Sequence, residues 1–241
     1  MKNLTAVAAG LVFLLASCNF SSRNRVTGNG LVQVENRQES GFNGLEISGA
    51  VTVYVKQDSQ FAVRVETDGN LIKYVETYTD NNTLVIRTRS GYNLRTRKGV
   101  KVYVSAPGFT HFGVSGASHI FSEGRISSNE EIRFDLNGAS SAEAELKCPS
   151  VDLELTGAST ARLNGETRDL VIEATGASHA RCFELMTETT DADLSGASHA
   201  DVFASVTLKA SASGASHVNY KGKPEVSQST SGAGSVSRAD Q

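Results

Sequence analysis

A short unit, Gly-Ala-Ser, returns at nearly constant spacing through the second half of the chain and leaves few folds open. It reads Gly116-Ala117-Ser118-His119, Gly138-Ala139-Ser140-Ser141, Gly157-Ala158-Ser159-Thr160, Gly176-Ala177-Ser178-His179, Gly196-Ala197-Ser198-His199 and Gly214-Ala215-Ser216-His217. Gly232-Ala233-Gly234-Ser235 is a degraded last copy, and Ser48-Gly49-Ala50 stands isolated upstream. From Gly116 onward the glycines are 22, 19, 19, 20, 18 and 18 residues apart. That period is too long for a hairpin and too short for a paired-helix repeat. It suits one coil of a parallel β-helix, with about three short strands per coil.

Alignment on the glycines supports this reading. Two positions before Gly lie Val114, Leu136, Leu155, Ala174, Leu194 and Ala212; four before lie Phe112, Phe134, Leu153, Ile172, Ala192 and Ala210. Four after lie Ile120, Ala142, Ala161, Ala180, Ala200 and Val218, and most residues between these columns are polar. Period two on both sides of Gly predicts a half-buried strand on each side and a bend at Gly itself. The residue before Gly is Ser115, Asn137, Thr156, Thr175, Ser195, Ser213 or Ser231. Stacked at about 4.8 Å per coil, these side chains are expected to form hydrogen-bonded ladders. The inner columns shrink toward the C-terminus, so the last coil is expected to be a polar cap and residues 235–241 a frayed tail. The composition agrees: 22 Gly, only 3 Pro, no Trp and 7% aromatics call for a core of Val, Leu, Ile and Ala.

Residues 26–112 read differently. Leu45-Ile47, Val51-Val53-Val55, Phe61-Val63-Val65, Leu84-Ile86 and Val100-Val102-Val104 alternate as strands, with turn signals at Asp68-Gly69-Asn70 and Asp80-Asn81-Asn82. This predicts a β-region with hairpins that merges into the solenoid and caps its first coil. No linker separates the two, so residues 26–241 form one domain: an N-terminal β-region over 26–112, repeated coils over 113–234 and the tail. Helix content is expected to be close to nil.

Residues 1–17 read as an export signal. Lys2 gives a short positive start, and Leu4 to Leu14 is uncharged and apolar but shorter than the about 20 residues that span a bilayer. Leu15-Ala16-Ser17-Cys18 follows and resembles a bacterial lipobox, which implies lipidation of Cys18 and a membrane-anchored mature protein of 224 residues. Residues 18–25 then form a polar tether. The expected location is the cell envelope, with the outer membrane as the anchoring surface. The full chain carries a net charge of −3, so no overall basic field exists to hold nucleic acid.

Three groups of outward residues are candidates for chemistry. Asp135, Glu154, Glu173 and Asp193 lie three before Gly on consecutive coils, where like charges repel unless solvent, Arg neighbours or a cation such as Ca²⁺ offsets them. Arg133, Arg162 and Arg181 are the nearest basic residues in sequence, and a plain solvated face is the simpler reading. His119, His179, His199 and His217 share the column three after Gly, and the last three, on consecutive coils, are weak metal candidates. An exposed ladder position that also accepts Ser141 and Thr160 is the simpler account. Arg87, Arg89, Arg95, Arg97, Lys98 and Lys101 crowd around Tyr92, as a charged hairpin protecting a sheet edge or as a patch for anionic polysaccharide or lipid headgroups with Tyr92 as a stacking surface. Cys148 and Cys182 fall in different columns, so a mutual disulfide is not expected. No nucleophile elbow, His-Glu-x-x-His, phosphate loop or Cys-x-x-Cys occurs, and no catalytic residue is assigned.

The combination has a family likeness. The lipobox, Phe42-Asn43-Gly44-Leu45-Glu46-Ile47-Ser48-Gly49, Val102-Tyr103-Val104-Ser105-Ala106-Pro107 and the Ser-Gly-Ala-Ser repeats together resemble the putative auto-transporter adhesin, head GIN domain family of Bacteroidetes, over roughly residues 41–222. The resemblance implies an all-β, right-handed parallel β-helix on the cell envelope, with no cofactor and no catalytic residues. The function expected is therefore a non-catalytic binding or adhesion module for a glycan or an envelope protein. A polysaccharide-acting enzyme built on a β-helix, and a structural or stress-related envelope component with a protein partner, are the alternatives. A deep groove lined by carboxylates and Arg would favour the enzyme; a flat, Ser/Thr-covered face would favour the other two.

Overall fold

A computed structural model describes residues 24–239; the export signal, Cys18 and most of the expected tether lie outside them. The described residues form an all-β parallel solenoid with a single 3-10 turn among them, at Ile72–Tyr74. Its N-terminal strands are β1 (Asn24–Thr27), β2 (Val32–Arg37), β3 (Gly44–Ser48), β4 (Thr52–Gln57), β5 (Ala62–Asp68), β6 (Val75–Asp80), β7 (Thr83–Thr88), β8 (Tyr92–Arg95) and β9 (Lys101–Ala106). The coils continue as β10 (His111–Val114), β11 (His119–Ser127), β12 (Ile132–Leu136), β13 (Ser141–Leu155), β14 (Thr160–Ala174), β15 (His179–Met186) and β16 (Thr189–Leu194). They end with β17 (His199–Ala204), β18 (Thr207–Ala212), β19 (His217–Gly222), β20 (Glu225–Thr230) and β21 (Ser235–Arg238).

The Gly-Ala-Ser unit is the corner between two strands of one coil. Each of its six full copies from Gly116 to Gly214 holds Gly at φ between +74° and +82°, a left-handed conformation that an L side chain resists. The Gly stack is also too close for any Cβ: one added to Gly157 would lie 2.7 Å from the Gly138 carbonyl oxygen. That close approach lets the Ala amide of each coil donate to the Gly carbonyl of the coil before it, at 2.7–2.8 Å. Ala points to solvent, and Ser turns inward to complete burial. Ser198 and Ser216 donate to the carbonyls of Ser195 and Ser213, each at 2.8 Å.

The three aligned apolar columns are the core, every member at most 3% exposed. Large side chains fill the first coils, with Phe112 stacked on Phe134 at 4.8 Å, and Ala212 and Val218 close the last ones. The expected hydroxyl ladder forms only in part. Thr156 donates to Asn137, whereas Ser115 and Ser213 turn to the backbone carbonyls of Ile47 and Leu194.

Three expectations need correction. The C-terminal coils carry two strands each, with only Ser205 and Val206 between β17 and β18; the longer middle coils keep a short extra segment such as Glu145–Cys148 after a bulge. The tail is not frayed from 235: β21 pairs in parallel with β19 through Arg238. Finally, Gly49 is not isolated. β3 and β4 form a coil of their own, stacked between β7–β9 on one side and β10–β11 on the other. The chain therefore lays down β3–β4 first, returns to build the coil beneath it, then crosses to continue above it. The expected cap exists at the N-terminal end, where β5 adds antiparallel to β9, β2 to β5, and β6 to β7. The β6–β7 hairpin turns through Asn81 and Asn82, both at positive φ.

Candidate functional site

The acidic column is a real ladder. Asp135 pairs with Glu154, Glu154 with Glu173 and Glu173 with Asp193 in consecutive strands. Its first half is partly offset. Arg133 reaches across the strands to Asp135 at 2.9 Å, Asp152 at 3.1 Å and Glu154 at 2.9 Å. His111 stands at the same end, 3.0 Å from Glu46 and 3.6 Å from Asp135. The hydrogen bond to Glu46 holds the His111 imidazole above its ordinary value, against the opposing effect of burial. Burial pushes the Asp152 carboxyl up, against the pull of Arg133. Arg162 and Arg181 belong elsewhere: they pair with each other near the starts of β14 and β15, past the Gly-Ala-Ser corner from the acidic column, and form no ion pair with it among the described residues. The second half of the column stays open. Glu173 and Asp193 are exposed and form no ion pair among the described residues, beside exposed Val171 and an Asp191–Lys209 pair at 2.8 Å. This surface is a flat sheet face, not a groove.

The His column is also a ladder. His179 pairs with His199 and His199 with His217, and their rings sit 6.1 and 6.0 Å apart, tilted by about 30°. His199 Nε2 is already occupied by Asp201 at 3.2 Å and Asn219 at 3.1 Å, and His119 Nδ1 by Ser141 at 2.7 Å. Among the described residues no three His, Cys, Asp or Glu side chains come together as a metal site would require.

The basic stretch differs most from expectation. It is not a hairpin: β8 pairs in parallel with β1, which begins two residues inside the expected tether. Leu94 faces the core, while Arg25 and Arg95 are exposed. The stretch also divides by partner. Arg87 and Arg89 are both committed to Glu76, at 3.0 and 2.9 Å, and Lys101 to Glu66 at 3.6 Å. Arg95, Arg97 and Lys98 are exposed and form no ion pair among the described residues. Tyr92 packs on Tyr74 at 4.6 Å and is half-buried. The loop from Arg89 to Gly99 takes the place of the Gly-Ala-Ser corner in the first coil. It opens a recess of about 740 Å³ against Gly49 and Ala50, and Arg95 and Thr96 also border a second, of about 630 Å³, lined by Thr27, Gly28, Gly30, Asp68 and Arg97.

Several residues here escaped the sequence reading. Arg25 and the Thr27–Gly30 loop join the basic end only through the β1–β8 pairing, which no local pattern announces. Asp68 is buried and spends one oxygen on the Gly30 amide at 2.6 Å, pinning that loop. An outward stack of Tyr103, Tyr54 and Phe121, capped by the Arg64 guanidinium 4.1 Å from the Tyr103 ring, also went unread because three separate strands supply it. Cys148 and Cys182 are buried and unpaired, and Cys148 lies beside Thr167 of the neighbouring strand. Burial pushes the Cys182 thiol up to about 12.

A filled core wrapped by stacked parallel coils with ladders of outward polar side chains defines the class of parallel β-solenoids. More specifically, the chain belongs to the family described as putative auto-transporter adhesin, head GIN domain, whose pattern matches residues 41–224. Its fold is shared with a putative adhesin from Bacteroides fragilis, at 16% identity and a TM-score of 0.84 over 89% of this chain and all of that one. A putative adhesin from Parabacteroides merdae and a putative lipid binding protein from Parabacteroides distasonis each align over 90% of this chain and all of theirs, at 18% identity and a TM-score of 0.71. Nothing matches among curated proteins.

Proposed function

We propose that the protein is a non-catalytic binding module of the cell envelope, lipid-anchored through Cys18 in the outer membrane, that presents its solenoid faces to a glycan or to another envelope protein. The observation that carries this reading is the open half of the acidic face. Glu173 and Asp193 stand in register beside Val171 and Asp191 on a rigid, flat sheet, spaced by the strand repeat. A polymer with regularly spaced hydroxyl or cationic groups meets such a lattice without any rearrangement of the protein. The adhesin family supports a binding role, and the flatness of the face favours binding over turnover.

A glycan array probed with and without Ca²⁺, run beside a polysaccharide lyase and hydrolase screen, tests the reading. Glycan binding that is weakened by Glu173→Gln with Asp193→Asn supports it. Measurable turnover overturns it, and silence on the array shifts the ligand to a protein partner. Metabolic labelling with palmitate, compared with Cys18→Ser, tests the anchor.

A further inference from the structure

We propose that the N-terminal end of the solenoid is a membrane-contact surface, in which Arg25, Arg95, Arg97 and Lys98 rest on anionic phospholipid headgroups of the membrane that holds Cys18. The inference rests on the anchoring reading above and adds to it an orientation and a docking face.

The charge of the chain is divided along its length. Residues 24–106 carry 11 basic against 8 acidic side chains, whereas residues 107–241 carry 10 basic against 18 acidic. The solenoid is thus an electrical dipole, with its positive pole at the capped end. Among the cations there, Arg37, Lys56, Arg87, Arg89 and Lys101 are held by carboxylates, and Arg64 and Lys73 lie over the rings of Tyr103 and Tyr74. Arg25, Arg95, Arg97 and Lys98 are exposed and form no ion pair among the described residues. Unpaired, solvated cations on one surface are what an anionic bilayer attracts, at about a fivefold gain in partitioning per residue.

The position of these cations relative to the anchor selects the partner. β1 is fixed to β8 by the Asn24 amide on the Gly91 carbonyl at 2.9 Å and the Gly28 amide on the Arg95 carbonyl at 2.8 Å. The chain from Cys18 to Asn24 spans no more than about 20 Å even fully extended. A lipid on Cys18 therefore keeps the start of the β1–β8 pair within about 20 Å of the anchor. The two recesses flanking Arg95 and Thr96 are wide enough to admit a glycerophosphate headgroup. Lying on its acidic side would instead press Glu154, Glu173 and Asp193 onto the same anionic surface. The docked state stands the coils away from the membrane and leaves the acidic face free for its ligand.

Sedimentation with phospholipid vesicles, using the mature chain carrying Cys18→Ser, tests the contact without its anchor. The protein is expected to sediment with phosphatidylcholine vesicles that contain phosphatidylglycerol, not with phosphatidylcholine alone, and to be released by salt. Arg95→Gln, Arg97→Gln and Lys98→Gln together are expected to lower partitioning roughly a hundredfold with an unchanged circular dichroism spectrum, whereas Arg162→Gln with Arg181→Gln on the coils leaves it intact. Equal binding to neutral vesicles, no binding to the anionic ones, or an unaffected triple variant overturns the proposal. So does binding to polygalacturonate that survives the salt releasing the vesicles, which would assign this end to a saccharide. Absence of a lipid on Cys18 in cells would overturn the anchor while leaving the vesicle result standing.

Discussion

Gly116 sits directly over Gly49. The Ala117 amide donates to the Gly49 carbonyl at 2.8 Å, and a Cβ on Gly116 would fall 2.6 Å from that same oxygen. Two copies of the unit that are far apart in the chain are thus consecutive rungs of one stack, and glycine is required there twice over, by φ and by space.

Substitutions should separate those two requirements. Gly157 is at φ +78° with a backbone oxygen 2.7 Å from its Cβ position, while Gly41 is at φ +73° with nothing within 4 Å. Gly41→Ala is expected to cost about 1 kcal/mol, from the left-handed backbone alone. Gly157→Ala should cost about 3 kcal/mol or more, because the coils must also move apart. Urea unfolding midpoints of the two variants check this.

Arg133 holds three carboxylates at once, so its loss should exceed that of an ordinary surface pair. Arg133→Met is expected to destabilise the fold by about 1–2 kcal/mol at neutral pH and low salt, the sum of modest exposed pairs plus the repulsion released among Asp135, Asp152 and Glu154. High salt should recover part of the loss. The check is chemical denaturation at two ionic strengths.

His111 should make stability depend on pH. Its folded value is raised by Glu46, so the charged ring favours the native state. That contribution is fully present below the ordinary imidazole value of about 6.5 and fades as pH rises through the raised one. Stability should therefore fall by less than about 1 kcal/mol across that window, and His111→Gln should flatten the profile. NMR titration of the ring and unfolding at several pH values provide the measurement.

The two buried thiols should be inert in the native state. With its value pushed up to about 12, Cys182 has almost no thiolate at neutral pH, and Cys148 is raised as well. Neither is expected to react with Ellman's reagent until denaturant is added, in a Cys18→Ser background. Rapid labelling of folded protein would show that the coils open locally.

The sequence by itself determined the solenoid, because a coil repeats one set of local demands. Gly had to recur where the corner needs left-handed backbone, and Leu153, Ala161 and their column mates had to recur where the interior needs apolar side chains. The acidic and His ladders followed from the same arithmetic, since residues in one column of the alignment become neighbours in one sheet. What repetition does not encode, only the tertiary structure decided. Gly49 took its place in the stack because β3 and β4 pair with β10 and β11 across a long excursion of the chain. Arg133, two residues from Asp135, gathers carboxylates from two successive strands, while Arg162 and Arg181 lie past the Gly-Ala-Ser corner from the acidic column. The basic stretch was visible as a run of charges, but its division into cations held by Glu76 and cations left free depends on β6 and β1 packing around it. Those contacts join residues far apart in sequence, and no period in the chain marks them.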